Sequence, residues 1–278
     1  MLSEMKIDSK LLSRRVDLAE IDARNGSPGG WSDFARIIIA TETSSHEEML
    51  LALSNTSFQG KVLIEKTGYV RESRSFSQSL DVRVAYNLRY LQGIWAMKEM
   101  CQQSKPLTLG IVCHSHLRQW RKDHDREGQY SRLRAFGGGA LLDLSHEIDY
   151  ARLILGIPSI VSAQGGRLGH VTQDSDDSWG ILFGYEDGSI ATINLSIISH
   201  RPERQLTLVT QERAAKFDLL TGIITVTDGP QQQLNRIQDT YKAMLHDWVF
   251  GNSESRLPTL EENSETLELI ARIRTAAT

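Results

Sequence analysis

The sequence of 278 residues contains only two cysteines, Cys101 and Cys113. Two cysteines are too few for a disulfide framework, so we expect a protein of the reducing cytoplasm. The first twenty residues also lack an apolar stretch long enough for a signal peptide or a membrane span. We therefore expect no membrane partner.

Excess basic charge is absent as well. The chain has 31 Lys and Arg against 35 Asp and Glu, a formal net charge of -4, and no basic stripe with interleaved aromatic residues. Proteins that bind nucleic acids usually carry such a stripe, so we expect a small soluble partner instead. His114, His116 and His124 show no fixed helical spacing, and we predict no metal site.

The hydrophobic content of 40% is enough for a substantial core, and its pattern changes between the two halves of the chain. In the first half, continuous apolar runs alternate with amphipathic segments, which predicts a parallel sheet with crossover helices. The predicted strands are 36–40, 61–65, 82–86 and 107–113, and the predicted helices are 46–53 and 88–100.

The second half contains apolar segments joined by short turns, which predicts a largely antiparallel sheet. These strands are 157–168, 178–185, 189–199, 204–211, 214–219 and 223–227, and helices follow at 234–250 and 261–274. One face of 189–199 is apolar and must be covered by helices or by another subunit. The predicted fold class is α/β plus α+β.

Residues 137–150, Gly-Gly-Gly-Ala-Leu-Leu-Asp-Leu-Ser-His-Glu-Ile-Asp-Tyr, concentrate the most potential chemistry. On one helix, residues three apart share a face, so Asp143 and His146 can point at the same small volume, with Asp149 one turn further along. A carboxylate beside an imidazole can orient the ring and raise its basicity. A capped helix whose histidine is hydrogen-bonded in the core explains the same residues, and both interpretations stay open.

Several segments, in this order, resemble the Gfo/Idh/MocA family of NAD(P)-dependent sugar oxidoreductases. They are 37–41 with His46 soon after, 62–66, 85–90, 137–150, 176–178 and 185–188. The resemblance implies an incomplete Rossmann-like domain over residues 1–113. It implies an open-sheet α+β domain for substrate binding and oligomerisation over 114–278, whose last helix can pack back on the first domain.

The resemblance also assigns site residues. It implies that Lys66 and His146 are catalytic, with Asp143 as the accompanying carboxylate at a spacing of three where the family usually has four. The implied cofactor is NAD or NADP, beside Ala40, Thr41, His46, Glu65 and Lys66. The implied substrate is a sugar or nucleotide sugar, with surface polysaccharide biosynthesis as an implied pathway. The implied substrate-binding residues are Arg89, Trp120, Arg121, Tyr130, Asp143 and His146.

Some of these assignments have structural alternatives. His46 is equally compatible with helix capping or packing. Arg89 can order the turn at Tyr86 near the substrate or pair with an acidic neighbour. For Asp149 we favour a role in orienting the helix.

The sequence departs from the family pattern at the cofactor side. It contains no Gly-x-Gly-x-x-Gly turn between a strand and a helix, because glycines 26–30 precede the first predicted strand. A truncated dehydrogenase is one interpretation; a natural relative without cofactor, serving as a sugar-binding or assembly module, is the other. Thr67 replaces a proline after Lys66, and a non-proline cis bond costs about 2.5–4 kcal/mol, so we expect this loop to differ. We also expect a homodimer or homotetramer formed through the C-terminal sheet.

Overall fold

The structure is a computed structural model, and it describes residue 31 and residues 34–69, 80–120, 130–251 and 255–277. The first half contains a three-stranded parallel sheet in the order β1-β2-β3. Its elements are β1 (Arg36–Ile39), α1 (His46–Ser54), β2 (Lys61–Ile64) and β3 (Asp81–Val84), followed by a 3-10 turn (Asn87–Tyr90) and α2 (Gln92–Gln103). The α/β arrangement predicted for this half is confirmed.

The second half adds a larger sheet and five helices. Its elements are β4 (Pro106–His116), α3 (Leu117–Trp120), α4 (Ala140–Asp143), α5 (Ser145–Leu155), β5 (Ile160–Gly166), β6 (Ser178–Gly184), β7 (Ile190–Ser196), β8 (Ile198–Thr210), β9 (Ala214–Asp218), β10 (Ile223–Val226), β11 (Gln232–Gln233), α6 (Ile237–Phe250) and α7 (Leu260–Ala276). The predicted succession of strands followed by two helices is confirmed.

The large sheet has eight strands in the order β11-β10-β9-β8-β4-β7-β6-β5. Strand β4 pairs antiparallel with β8 and parallel with β7, whereas the other neighbours are antiparallel. The expectation that 107–113 continue the small parallel sheet is therefore wrong, and the predicted domain boundary at residue 113 falls inside β4. Both partners of β4 lie far along the chain, so local alternation of strands and helices does not reveal the pairing.

Helices α2 and α5 cover one face of the large sheet. In β7, Ala191, Ile193 and Leu195 point into this covered face, whereas Ile190 and Thr192 on the opposite face are exposed. The apolar face predicted for residues 189–199 is therefore covered by helices of the same chain, which is one of the two alternatives expected.

Helices α6 and α7 return to the small sheet. Trp248 and Met244 of α6 pack against Leu63 and Ala85 in a second core. The chain just before α7 joins the edge of β3, where Val84 N donates to Pro258 O at 3.0 Å. Helix α7 packs on β3, β5 and α5, so it contacts both sheets. No helix in the described part of the chain is long and apolar enough to cross a membrane.

Candidate active site

The glycine run forms a tight turn in front of α4. Gly137 and Gly139 have φ of 82° and 122°, which side chains rarely allow. A Cβ at Gly138 would lie 2.3 Å from Tyr130 O, and one at Gly139 would lie 2.5 Å from Asp176 Oδ1. The carboxylate of Asp176 accepts from Leu141 N at 2.9 Å, so the missing side chains let it cap the start of α4.

The helix predicted over the following residues is interrupted at Leu144, which separates α4 from α5. Leu144 N donates to Ala140 O at 2.9 Å, and Glu147 N donates to Leu144 O at 3.2 Å. In a continuous helix Glu147 N would bond Asp143 O, so the interruption frees that carbonyl. The prediction that Asp143 and His146 share one helical face is therefore wrong.

Lys66 occupies the interruption. Its Nζ donates to Asp143 O at 2.6 Å and to Leu142 O at 3.1 Å. Lys66 lies two residues beyond the end of β2, at the carboxyl edge of the parallel sheet, where ligands of α/β proteins usually bind. The structure thus brings Lys66 to Asp143, as the resemblance implied.

The loop of Lys66 is held by a residue that the sequence analysis did not single out. The Lys66–Thr67 peptide bond is cis. The expectation that threonine in place of proline would disfavour a cis bond here is therefore wrong. Buried Asn263 of α7 donates from Nδ2 to Thr67 O at 2.9 Å. Because these residues are 196 positions apart and Asn263 belongs to no motif, only the fold reveals the contact.

Opposing charges surround the ammonium of Lys66. Burial lowers its pKa, whereas the nearby carboxylates of Asp143, Glu65 and Glu147 raise it and the Arg204 guanidinium lowers it. Burial and charged side chains of both signs therefore determine the proton affinity of Lys66.

Asp143 faces Tyr130 and Ser131 as well as Lys66. Burial raises the pKa of Asp143, whereas the Lys66 ammonium and hydrogen bonds with Ser131 and Tyr130 lower it. Gly139 N donates to Asp143 Oδ2 at 3.3 Å. The predicted substrate residue Tyr130 therefore lies at the same carboxylate, and the observed hydrogen bonds of Asp143 run to groups other than His146.

His146 is enclosed at the start of α5, with 8% of its surface exposed. Its ring meets the ring of Tyr86 edge-on, at a centroid distance of 5.3 Å and an angle of 89°. Its Nδ1 is buried and has no hydrogen-bond partner among the described residues. Burial and the cationic Lys66 and Arg204 lower the pKa of His146 well below its ordinary value, so the ring is neutral and able to accept a proton at neutral pH.

Arg89 and Asp149 form a buried ion pair beside this site. Arg89 Nε donates to Asp149 Oδ2 at 2.8 Å, and Arg89 Nη2 donates to Oδ1 at 2.7 Å. Of the two roles considered for Arg89, pairing with an acidic neighbour is the one observed. The pair ties α5 to the turn that carries Tyr86.

The residues predicted at the cofactor meet at the carboxyl edge of β1 and β2. Ala40 and Thr41 follow β1, and Glu65 follows the adjacent β2. The His46 ring bridges them, with Nδ1 2.9 Å from Gly68 O and Nε2 3.1 Å from Thr41 O. His46 therefore fixes the loop after β1 against the turn that contains Lys66.

The side chains at this edge suit the nicotinamide end of a dinucleotide but not its pyrophosphate. Lys66, Thr41 and His46 offer polar groups of the kind that can contact a nicotinamide and its ribose. The turn after β1 and the start of α1 carry Glu42, Glu47 and Glu48 instead, and these carboxylates oppose a pyrophosphate at that helix end. Among the described residues this edge supplies no phosphate cradle.

The remaining predicted substrate residues are Trp120 and Arg121. Trp120 ends α3 and is 38% exposed, and Arg121 lies outside the described residues. A cleft of about 610 Å³, between the ends of α2 and α5 and the 185–189 turn, is lined by none of the predicted site residues. Within the described ranges no group of three His, Cys, Asp or Glu residues could hold a metal ion.

One segment of the chain matches a known family model. Residues 108–215 match the sequence profile of the GFO/IDH/MocA C-terminal domain. This segment is similar to a GFO/IDH/MocA domain. The family resemblance predicted from the motifs is thereby confirmed. No curated protein sequence matches the chain.

Solved structures of GFO/IDH/MocA type share the fold. UDP-N-acetylglucosamine 3-dehydrogenase GnnA from Acidithiobacillus ferrooxidans superimposes with a TM-score of 0.70 at 17% identity, over 88% of this chain and 79% of that one. The WlbA dehydrogenase from Bordetella pertussis, in complex with NADH and UDP-GlcNAcA, gives 0.67 at 14% identity, over 87% and 76%. An inositol dehydrogenase homolog from Azotobacter vinelandii, complexed with NAD+, gives 0.72 at 11% identity, over 87% and 76%.

Proposed function

We propose that this GFO/IDH/MocA chain is an NAD(P)-dependent dehydrogenase that acts on a hydroxyl group of a sugar or nucleotide sugar. The observation that carries the proposal is the position of the Lys66 ammonium. It lies at the interruption between α4 and α5, beside Asp143 and close to His146, whose ring is neutral. The fold is shared with a UDP-N-acetylglucosamine dehydrogenase and with a dehydrogenase in complex with NADH and UDP-GlcNAcA, which supports the substrate class.

The three side chains have separate tasks in this reaction. His146 accepts the hydroxyl proton through Nε2, because Nδ1 is enclosed. The ammonium of Lys66 stabilises the negative charge that develops on the substrate oxygen. Asp143 holds Lys66 in its charged form and, with Tyr130, contacts the sugar.

The bound cofactor supplies the hydride acceptor. As the carbon–hydrogen bond breaks, its electron pair leaves with the hydride, the oxygen–hydrogen proton passes to His146, and a carbonyl group forms. Ala40, Thr41, His46, Glu65 and Lys66 would hold the nicotinamide end. The family resemblance adds Trp120 and Arg121 to the proposed substrate residues, of which Arg121 lies outside the described part of the chain.

The proposal extends to the assembly. Ile190 and Leu182 are about two-fifths exposed on the uncovered face of the large sheet. We propose that this face forms the contact in a homodimer or homotetramer. We also propose that the enzyme is cytoplasmic and takes part in surface polysaccharide biosynthesis.

Calorimetric titration of the purified chain with NAD+, NADH, NADP+ and NADPH tests the proposal. We expect binding of at least one dinucleotide at submillimolar concentration. No binding of any of them at millimolar concentration would refute the dehydrogenase function for this chain. Binding of a UDP-sugar without any dinucleotide would then favour the alternative of a sugar-binding module.

A further inference from the structure

A second ion pair lies behind the site, between α5 and the large sheet. Glu147 follows His146 directly, and its side chain is fully buried. Its Oε1 accepts from Arg204 Nε of β8 at 2.7 Å and from the Tyr150 hydroxyl at 3.0 Å. Its Oε2 is also buried but has no hydrogen-bond partner in the described part of the chain. The thiol of buried Cys113 also hydrogen-bonds this carboxylate.

Packing alone does not explain such a pair. Burying two charges costs desolvation energy, and apolar residues of similar volume often replace a buried ion pair without loss of stability. Cys113, opposite Arg204 in the β4–β8 ladder, is also buried, and its thiol hydrogen-bonds Glu147. The arrangement calls for a reason in the neighbouring chemistry.

Both charges of the pair act on the proposed catalytic groups. Glu147 attracts the Lys66 ammonium, and Arg204 repels it. Arg204 also disfavours a proton on His146. Moreover, Glu147 N makes the bond to Leu144 O that frees the Asp143 carbonyl for Lys66. Glu147 thus contributes to the site through its backbone and through its charge.

We propose that Glu147 and Arg204 are positioning residues that set the charge states of Lys66 and His146, an inference that rests on the proposed dehydrogenase function. The buried carboxylate of Glu147 holds the proton on Lys66. Arg204 compensates that carboxylate and keeps His146 free of a proton. Neither residue contacts the substrate.

Other charged side chains also lie near Lys66 and His146, besides the Glu147–Arg204 pair. Lys66 also faces the carboxylates of Asp143 at the end of α4 and Glu65 at the end of β2. His146 also faces the cations of Lys66 and Arg89. These groups are unchanged in the variants below, so differences between the variants report on the pair.

Charge-removing variants should move the proton affinity of Lys66 in opposite directions. Glu147→Gln keeps the shape of the side chain but removes the attraction, so the apparent pKa of Lys66 should fall. Arg204→Met removes the repulsion, so this pKa should rise. In the double variant both charges are absent, and the value should return toward that of the unchanged protein.

Competitive acetylation measures this pKa without activity. The 278-residue chain is labelled with acetic anhydride across a pH series, and the labelled fraction of Lys66 is measured by mass spectrometry. Glu212→Gln and Arg213→Gln, two exposed positions of one turn, are the matched controls and should leave the midpoint unchanged. Circular dichroism verifies that each variant is folded, and the neutral double variant serves if a single variant is not.

Opposite shifts in the two single variants support the inference. Shifts no larger than those of the controls, or shifts of the same sign, overturn it. In the dehydrogenase assay the alkaline limb of the pH–rate profile should move with the Lys66 midpoint. If the chain binds no dinucleotide but the midpoints still shift, the proposed function fails while the electrostatic coupling stands, so the two failures are distinguishable.

Discussion

Replacing Arg89 with methionine should destabilise the folded chain by about 3 kcal/mol, the lower end of the range for a broken buried ion pair. The side chains of Arg89 and Asp149 are 6% and 2% exposed, and two charge-assisted hydrogen bonds join them. The variant leaves Asp149 buried, with only the Thr266 hydroxyl at 3.4 Å and Arg152 at 3.6 Å. We choose the lower end because Arg152 stays close enough to compensate part of the charge.

Urea unfolding followed by circular dichroism measures the loss. The matched control is Arg83→Met, which breaks an ion pair with Asp81 whose side chains are 23% and 46% exposed and which should cost below about 1 kcal/mol. The double variant Arg89→Met with Asp149→Leu should be more stable than Arg89→Met alone, because it removes the uncompensated charge. An Arg89→Met loss no greater than that of Arg83→Met would refute this reasoning.

Three further outcomes are expected. Gly139→Ala should cost about 1–3 kcal/mol in urea unfolding, because φ is 122° and the new Cβ would lie 2.5 Å from the Asp176 carboxylate; an unchanged midpoint would contradict this. Asn263→Leu should cost about 1–3 kcal/mol by leaving Thr67 O without its donor, whereas equal stability would show that the contact is dispensable. Since burial lowers the pKa of His146 in the folded state below its ordinary 6.5, the unfolded state binds more protons just below that pH. The free energy of unfolding should therefore fall with decreasing pH below 6.5, and this residue contributes up to about 1.4 kcal/mol per pH unit. The fall should be less steep in His146→Asn. Equal slopes in the two proteins would contradict the burial argument.

Much of the fold could be predicted because its signals are local. The apolar runs of β1 and β2 and the alternation in β7 each reflect burial on one or both faces of a strand. Strand β4 shows the limit of this reasoning. Its own residues indicate a strand, but its place between β8 and β7 depends on pairings with distant segments.

The site divides in the same way. The resemblance assigned Lys66 and Asp143 to one site, and in the structure Lys66 Nζ lies 2.6 Å from Asp143 O. The interruption at Leu144 was not predictable from helix propensity, since it is associated with a tertiary hydrogen bond from Lys66 to Asp143 O. Likewise, Asn263 reaches Thr67 only because α7 packs back on the first sheet.

The most direct test of the central claim is turnover. The chain is assayed for formation of reduced nicotinamide with NAD+ and NADP+ against a panel of UDP-sugars, cyclitols and anhydrosugars, beside Lys66→Met and the surface control Lys216→Met. We predict turnover of at least one substrate, unchanged in the control and reduced at least about 100-fold in Lys66→Met. No turnover with any substrate, or equal turnover in Lys66→Met, would contradict the account.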